Sequence, residues 1–370
     1  NELILEGVVI EWDTRFRQAL RSPVHTNDIE IRGSGNRIRG LEIRCLGDGT
    51  SPGGALVSIQ GKDNLLEDCR FHVRGSSPYG YGDVFGKGSP TIISHRKQNG
   101  VQVAGNGTVL RRCHLKMESF GHGIYIQKNA QDILIEDCLV EGEVRKTEEM
   151  LAETSGPAFD KGFRTTFRNH EGKETLLRGY MKSLAEDGFR TYDDNRNVVI
   201  RNCVARNMRG GFELRTKSGA VAENCRAEGC ERGFWVGDHS VVKGCFADVI
   251  YGPALYVEGR GVRADIEVDL TESDRIVHQL ASLHGEGHEV VIRGGEGEAT
   301  RDLPIRIGFS TPPAGENMAP AVERPARRMK LINETPMPVL VGAQSQGVVV
   351  KSRGPVVDRG KETVKEEMGE

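Results

Sequence analysis

The sequence predicts an all-β chain wound as a right-handed parallel β-helix, a solenoid of short stacked strands with two long loop insertions on one edge. Three observations carry this expectation. A short phrase ending in cysteine recurs six times, and a second phrase recurs seven times, about ten residues ahead of it. Amphipathic stretches of ten or more residues, which a helical solenoid would need, are missing.

The cysteine phrase reads LLEDC at Cys69, VLRRC at Cys113, LIEDC at Cys138, VIRNC at Cys203, VAENC at Cys225 and VVKGC at Cys245. The last three cysteines are 22 and 20 residues apart, a spacing that suits one coil. Before the cysteine stands Asp or Asn in four cases and Gly in one. These residues tolerate the left-handed backbone of a sharp corner. Each Cys is then expected to point inward and stack on the next. With no CxxC pair and no His cluster at ligand spacing, buried thiols are favoured over disulfides or zinc.

The second phrase reads ALVSIQ at 55–60, GVQVA at 100–104, GIYIQ at 123–127 and GFRTY at 188–192. It continues as GFELR at 211–215, GFWVG at 233–237 and ALYVE at 254–258. Each alternates inward and outward residues, as a half-buried strand must. Insertions interrupt the rhythm at about 75–98 and 141–186, and the TEEMLAE portion of the second reads as briefly helical. Both end just before the same strand column, so both are expected at one edge, walling a groove. After Gly259 the repeat loosens through VRADIEVDL and HEVVIRGG, reappearing as RMKLINET and GVVVKSRG. A polar tail over 360–370 is expected to fray. The whole of 1–370 reads as one domain.

Bulk composition fits this picture. The chain has 370 residues, 47 Gly against 14 Pro, 37% hydrophobic and 28% charged residues, and a net charge of -3. That is a turn-rich globular profile without the basic excess of a nucleic-acid binder. No apolar run is long enough to span a membrane. A start at Asn1 rather than Met suggests a removed leader or a trimmed chain, hence an expected secreted or periplasmic location.

Alternation also maps the outward face. One column runs Ser58, Gln102, Tyr125, Arg190, Glu213, Trp235, Tyr256, and the next runs Gln60, Ala104, Gln127, Tyr192, Arg215, Gly237, Glu258. The corner ahead of the strand gives Asn99, His122, Asp187, Gly210, Arg232, placing His122 one coil from Asp187 despite the insertion between them. Aromatic rings stack on sugar faces, and arginine forks match carboxylates. An Arg190–Glu213 surface ion pair, with the aromatics packed under the insertions, is the structural alternative. His95, Arg96 and Lys97 in SHRKQNG make the rim basic on a mildly acidic protein, which implies an anionic ligand.

The coil period, the Asn/Asp corner before a stacked inward residue and the glycine-led strands resemble the pectate-lyase-like β-helix superfamily. The likeness spans about Ile29 to Gly259 and is one of architecture, with no match to the Asp-rich motifs of polygalacturonases or the DPHD motif of alginate epimerases. It implies an anionic polysaccharide or oligosaccharide as partner and a carbohydrate-active enzyme, foremost a lyase cleaving a uronic-acid-containing glycan by β-elimination. That reaction needs a cation on the uronate carboxylate, a base for the C5 proton and an acid for the leaving oxygen. Arg190 and Arg215 suit the first task. Tyr125, Tyr192, His122 or Lys182 suit the other two, with Asp187 orienting His122. Gln127, Glu213, His95 and Lys97 complete substrate binding, and Trp235 and Tyr256 are expected to form a sugar-stacking platform. The alternatives are a glycoside hydrolase using Asp187 and Glu213, or a non-catalytic glycan-binding, tailspike-like module. No cofactor is expected. The one metal alternative is calcium on Asp187, Asp193, Asp194 and Glu213, where the Asp193–Asp194 pair reads first as a turn.

Overall fold

A computed structural model of the protein describes residues 1–19, 27–49, 53–76, 78–82, 96–160, 167–168, 174–175, 181–250, 252–269, 279–294, 303–310 and 322–367. Its short strands stack in parallel, coil upon coil, into a right-handed parallel β-helix. Twelve of them, from Ile29–Ile31 to Val356–Asp358, form one sheet. A second sheet of twenty carries two neighbouring stacks. In one, Val109–Arg111 lies between Leu65–Glu67 and Gln131–Glu136; in the other, His114–Glu118 lies between Arg70–Arg74 and Leu139–Glu141.

The corner between those two stacks explains the cysteine phrase. Asp68, Arg112, Asp137, Asn202, Asn224 and Gly244 precede the six cysteines, and each adopts a φ between 50° and 60°. Asn and Asp tolerate this left-handed conformation because their short polar side chains bond locally. Here they also bond along the stack: Asn202 Nδ2 donates to Asp137 Oδ1 at 3.1 Å. Arg112 breaks the residue pattern but keeps the backbone, anchored by Asp68 at 2.7 Å.

The six cysteines that follow are buried and free, as are Cys45 and Cys230. Amide N–H groups of the column donate to the thiol sulfur of the next coil, Cys113 to Cys138 and Cys138 to Cys203, each at 3.4 Å. Replacing Cys203 by Ser should destabilise the protein by about 1–3 kcal/mol, because a hydroxyl replaces a soft apolar sulfur in the core. Thiol titration after denaturation should find every cysteine of the column reduced. Loss of two or more to disulfides would contradict the stack.

The glycine of the strand phrase has a packing reason. A Cβ on Gly188 or Gly211 would sit 2.7 or 2.6 Å from the Cβ of Ala205 or Ala227 on the facing stack. Just inside, Phe189, Phe212 and Phe234 stack with ring centroids 4.8 Å apart. The core is a set of such ladders.

Beyond Gly259 the stack continues through Arg263–Val268, Glu289–Gly294, Lys330–Asn333 and Val349–Ser352, the segments where the sequence shows the repeat loosened and then reappearing. One expectation is corrected at the C-terminal end. The polar tail does not fray from residue 360, since Val364–Glu367 pairs in parallel with Val349–Ser352. Val364 is the one apolar residue of that strand, so no alternation marks it in the sequence.

Much of both insertions lies outside the described residues. The described parts agree with the expected shared edge. A helix forms at Thr147–Leu151, within the TEEMLAE segment, and Val144–Lys146 pairs antiparallel with Met181–Ser183. The Tyr79 hydroxyl donates to Glu143 at 2.6 Å and the Tyr81 hydroxyl to Glu153 at 2.8 Å, so the two insertions fasten to each other.

Candidate functional site

The outward register on the twelve-stranded sheet is the one alternation predicts. Tyr125 lies between Gln102 and Arg190, Arg190 beside Glu213, Glu213 beside Trp235, and Trp235 beside Tyr256. At the corner, the Gly123 N–H donates to the Asp187 carbonyl, bringing His122 and Asp187 onto successive coils. The Asn99 side chain staples this corner, accepting from the His122 N–H at 2.9 Å and donating to the Gly54 carbonyl at 2.9 Å.

A cleft of about 600 Å³ opens over these coils. Arg96 and Lys97 form its basic lip. Asn99, Gln102 and Gln127 offer amide groups, and His122, Tyr125 and Tyr192 offer rings. Tyr125 is 8% exposed, with its ring centroid 5.9 Å from that of His122. No described residue hydrogen-bonds its hydroxyl. Burial pushes the Tyr125 phenol above its ordinary value, and Tyr192 adds to the shift, so it stays a proton donor at neutral pH.

Beneath the cleft floor lies a buried ionic network. His122 Nδ1 sits 3.1 Å from Asp187 Oδ2, out of line for a straight hydrogen bond, and its Nε2 sits 3.4 Å from Glu186 Oε2. Lys97 Nζ donates to both oxygens of Glu186, at 2.8 and 2.7 Å. Arg209 donates to Glu186 at 3.0 Å and to Asp187 at 3.0 and 3.1 Å. Arg190 Nη1 donates to Asp187 at 3.0 Å and lies 3.0 Å from Glu213, while Arg232 donates to Glu213 at 2.9 Å. Burial alone would raise the Asp187 carboxyl. Arg209, His122 and Arg190 outweigh it and hold that carboxyl well below the usual range. Gly210, between Asp187 and Arg232 in the same column, makes room: a Cβ there would lie 2.7 Å from Asp187 Oδ1. With no side chain in the way, Arg232 Nη2 reaches to 3.5 Å from Asp187.

Several residues assigned from the sequence sit elsewhere. Lys182 does not reach over the groove: it is fully buried, bound to Glu231 at 3.0 Å. Arg190 is not an open carboxylate fork, because Asp187 and Glu213 hold it and, unlike Lys97, it does not border the cleft. That is the ion-pair alternative, drawn into the protein. Trp235 and Tyr256 form no open sugar platform. Each is 7% exposed, they meet edge to face at 5.1 Å, and the Arg215 guanidinium covers Trp235 at 4.5 Å. Asp187 and Glu213 are engaged by arginines and Asp193 by Lys217 at 3.2 Å, so the calcium ligands do not converge on an open position. His95 lies outside the described residues.

Glu186 and Arg209 were missed although a signal exists. The column one position ahead of His122 and Asp187 reads Gly121, Glu186, Arg209, Glu231, with alternating charges. Ladders of opposite charge on adjacent strands pair. This column lies outside the two outward ones, where alternation draws attention to exposed side chains.

Further along the sheet, Trp235 Nε1 donates to Glu258 at 2.7 Å, and the Tyr256 hydroxyl meets His284 Nε2 at 2.9 Å. Burial, with His288 and Arg324 nearby, pushes His284 down to about 4 from its ordinary 6.5. The unfolded chain therefore takes up this proton at a higher pH than the folded one. The stability tied to neutral His284 is complete above 6.5 and drains away between 6.5 and 4. It amounts to about 3 kcal/mol at most. Urea titrations across that window should show a positive slope of stability with pH, flattened in His284→Asn. An unchanged slope would place the acid sensitivity elsewhere.

Compared with protein-family models the chain matches none, and no curated protein is significantly similar to it. The reading of function therefore rests on the site.

Proposed function

We propose that the protein is a polysaccharide lyase that binds a uronic-acid-containing glycan across this cleft and cleaves it by β-elimination. The observation that carries the reading is the meeting of a basic lip with two proton-transfer groups. Arg96 and Lys97 border the same cleft as His122, which carboxylates flank, and Tyr125, whose hydroxyl no described residue binds.

The chemistry follows from these positions. Arg96 and Lys97 neutralise the uronate carboxylate, which makes the C5 proton acidic. His122 takes that proton, and Glu186 and Asp187 stabilise the imidazolium that forms. Tyr125, kept protonated by its burial, donates to the leaving oxygen. Asn99, Gln102 and Gln127 hold sugar hydroxyls, and Tyr192 stacks on a ring face. A polymer of this kind is met outside the cytoplasm, in keeping with a secreted or periplasmic location. A hydrolase built on Asp187 and Glu213 is disfavoured, because arginines already engage both carboxylates and neither borders the cleft.

The test is a panel of anionic polysaccharides read by absorbance near 235 nm and by reducing ends. New absorbance together with reducing ends is expected for at least one uronate polymer. Reducing ends without absorbance would select a hydrolase. Binding with neither product would select a non-catalytic glycan-binding module.

A further inference from the structure

We propose that Glu186 is a positioning residue that ties the carboxylate-gripping side of the cleft, Lys97, to its proton-accepting side, His122. This rests on the lyase reading and deepens it. In a uronate, C5 is bonded directly to the carboxylate carbon. The cation that grips the carboxylate and the base that takes the C5 proton must therefore keep a fixed separation, or only one of them engages.

A single buried carboxylate meets that need. Glu186 is fully buried, and its two oxygens accept from the Lys97 ammonium at 2.8 and 2.7 Å while Oε2 faces His122 Nε2 at 3.4 Å. Lys97 and His122 both line the cleft, whereas Glu186 does not. Glu186 is itself fixed from behind by Arg209 Nη1 at 3.0 Å, and its backbone N–H donates to the Gly121 carbonyl at 2.9 Å. A lysine otherwise spreads over many rotamers, and holding it in advance removes that ordering cost from binding. The ligand this anchor fits is a single carboxylate on a pyranose ring.

Glucuronate and glucose are the paired probes, with affinities for the intact protein measured by calorimetry. Wild type should bind glucuronate and not glucose. Glu186→Gln, which keeps shape and removes charge, should weaken glucuronate about tenfold, the loss expected for one charge-assisted hydrogen bond. Lys97→Met should do the same, and the double variant should lose little more, because the two act as one unit. A purely structural role for Glu186 would instead give additive losses. If Glu186→Gln does not fold, Glu186→Asp, one methylene shorter with its charge kept, serves in the same cycle. Wild-type glucuronate affinity in the Glu186 variant, additive losses, or a wild-type protein that prefers neither sugar would each overturn the proposal. The lyase reading fails separately, if the expected affinities appear but no polymer in the panel is cleaved.

Discussion

Tyr125→Phe should lower turnover of the uronic glycan by about two orders of magnitude or more while leaving the fold intact. The change removes one oxygen from a ring that is already packed, and no described residue relies on that oxygen, so stability should hardly move. His122→Ala should cost a similar factor, because the base is gone while Asn99 still binds the backbone at residue 122. The two variants separate the roles. If His122→Ala keeps full activity while Tyr125→Phe is dead, His122 is only a corner residue and the phenol carries both proton transfers. Full activity in Tyr125→Phe would remove the phenol from the mechanism. Thermal unfolding of each variant checks that lost activity is not lost structure.

The second large effect is on stability. Asp187→Ala should destabilise the protein by about 3–5 kcal/mol, because it strips the shared acceptor from buried cations. Arg209 and Arg190 donate to this carboxylate, and Arg232 lies 3.5 Å away. Asp187→Asn keeps the shape and one carbonyl oxygen, so it should cost less. Because the Asp187 carboxyl is held below the ordinary range, its contribution is present at every pH above that range. It is lost only as pH falls through the depressed folded value. Acid weakening that begins below 6.5 therefore belongs to the buried histidines His284 and His288, both pushed down by burial, and not to Asp187. Urea unfolding is the measurement. A loss below about 1 kcal/mol in Asp187→Ala would mean that the network does not hold these coils together.

Local rules made most of the architecture legible. A corner that needs a left-handed residue selects Asp, Asn or Gly wherever it recurs, and a half-buried strand shows its period of two. These rules act within a few residues, so the sequence alone determined the coil, the inward cysteines, the outward columns and the pairing of His122 with Asp187. They fail where a strand carries a single apolar residue, which is why Val364–Glu367 is not legible as a strand in the sequence.

Burial was decided by the tertiary structure alone. Alternation says that Arg190, Trp235 and Tyr256 point outward, but not what lies above or beside them. Outward on one coil is not exposed when neighbouring columns cover it, as Arg215 covers Trp235. Lys182 shows the same limit, since its partner Glu231 is 49 residues away. The charge that organises the cleft also lies beyond local reading. Glu186 matters because Lys97, His122 and Arg209, from three other coils, converge on one carboxylate. Such convergence depends on how coils are laid over one another, and that is set by packing across the whole stack.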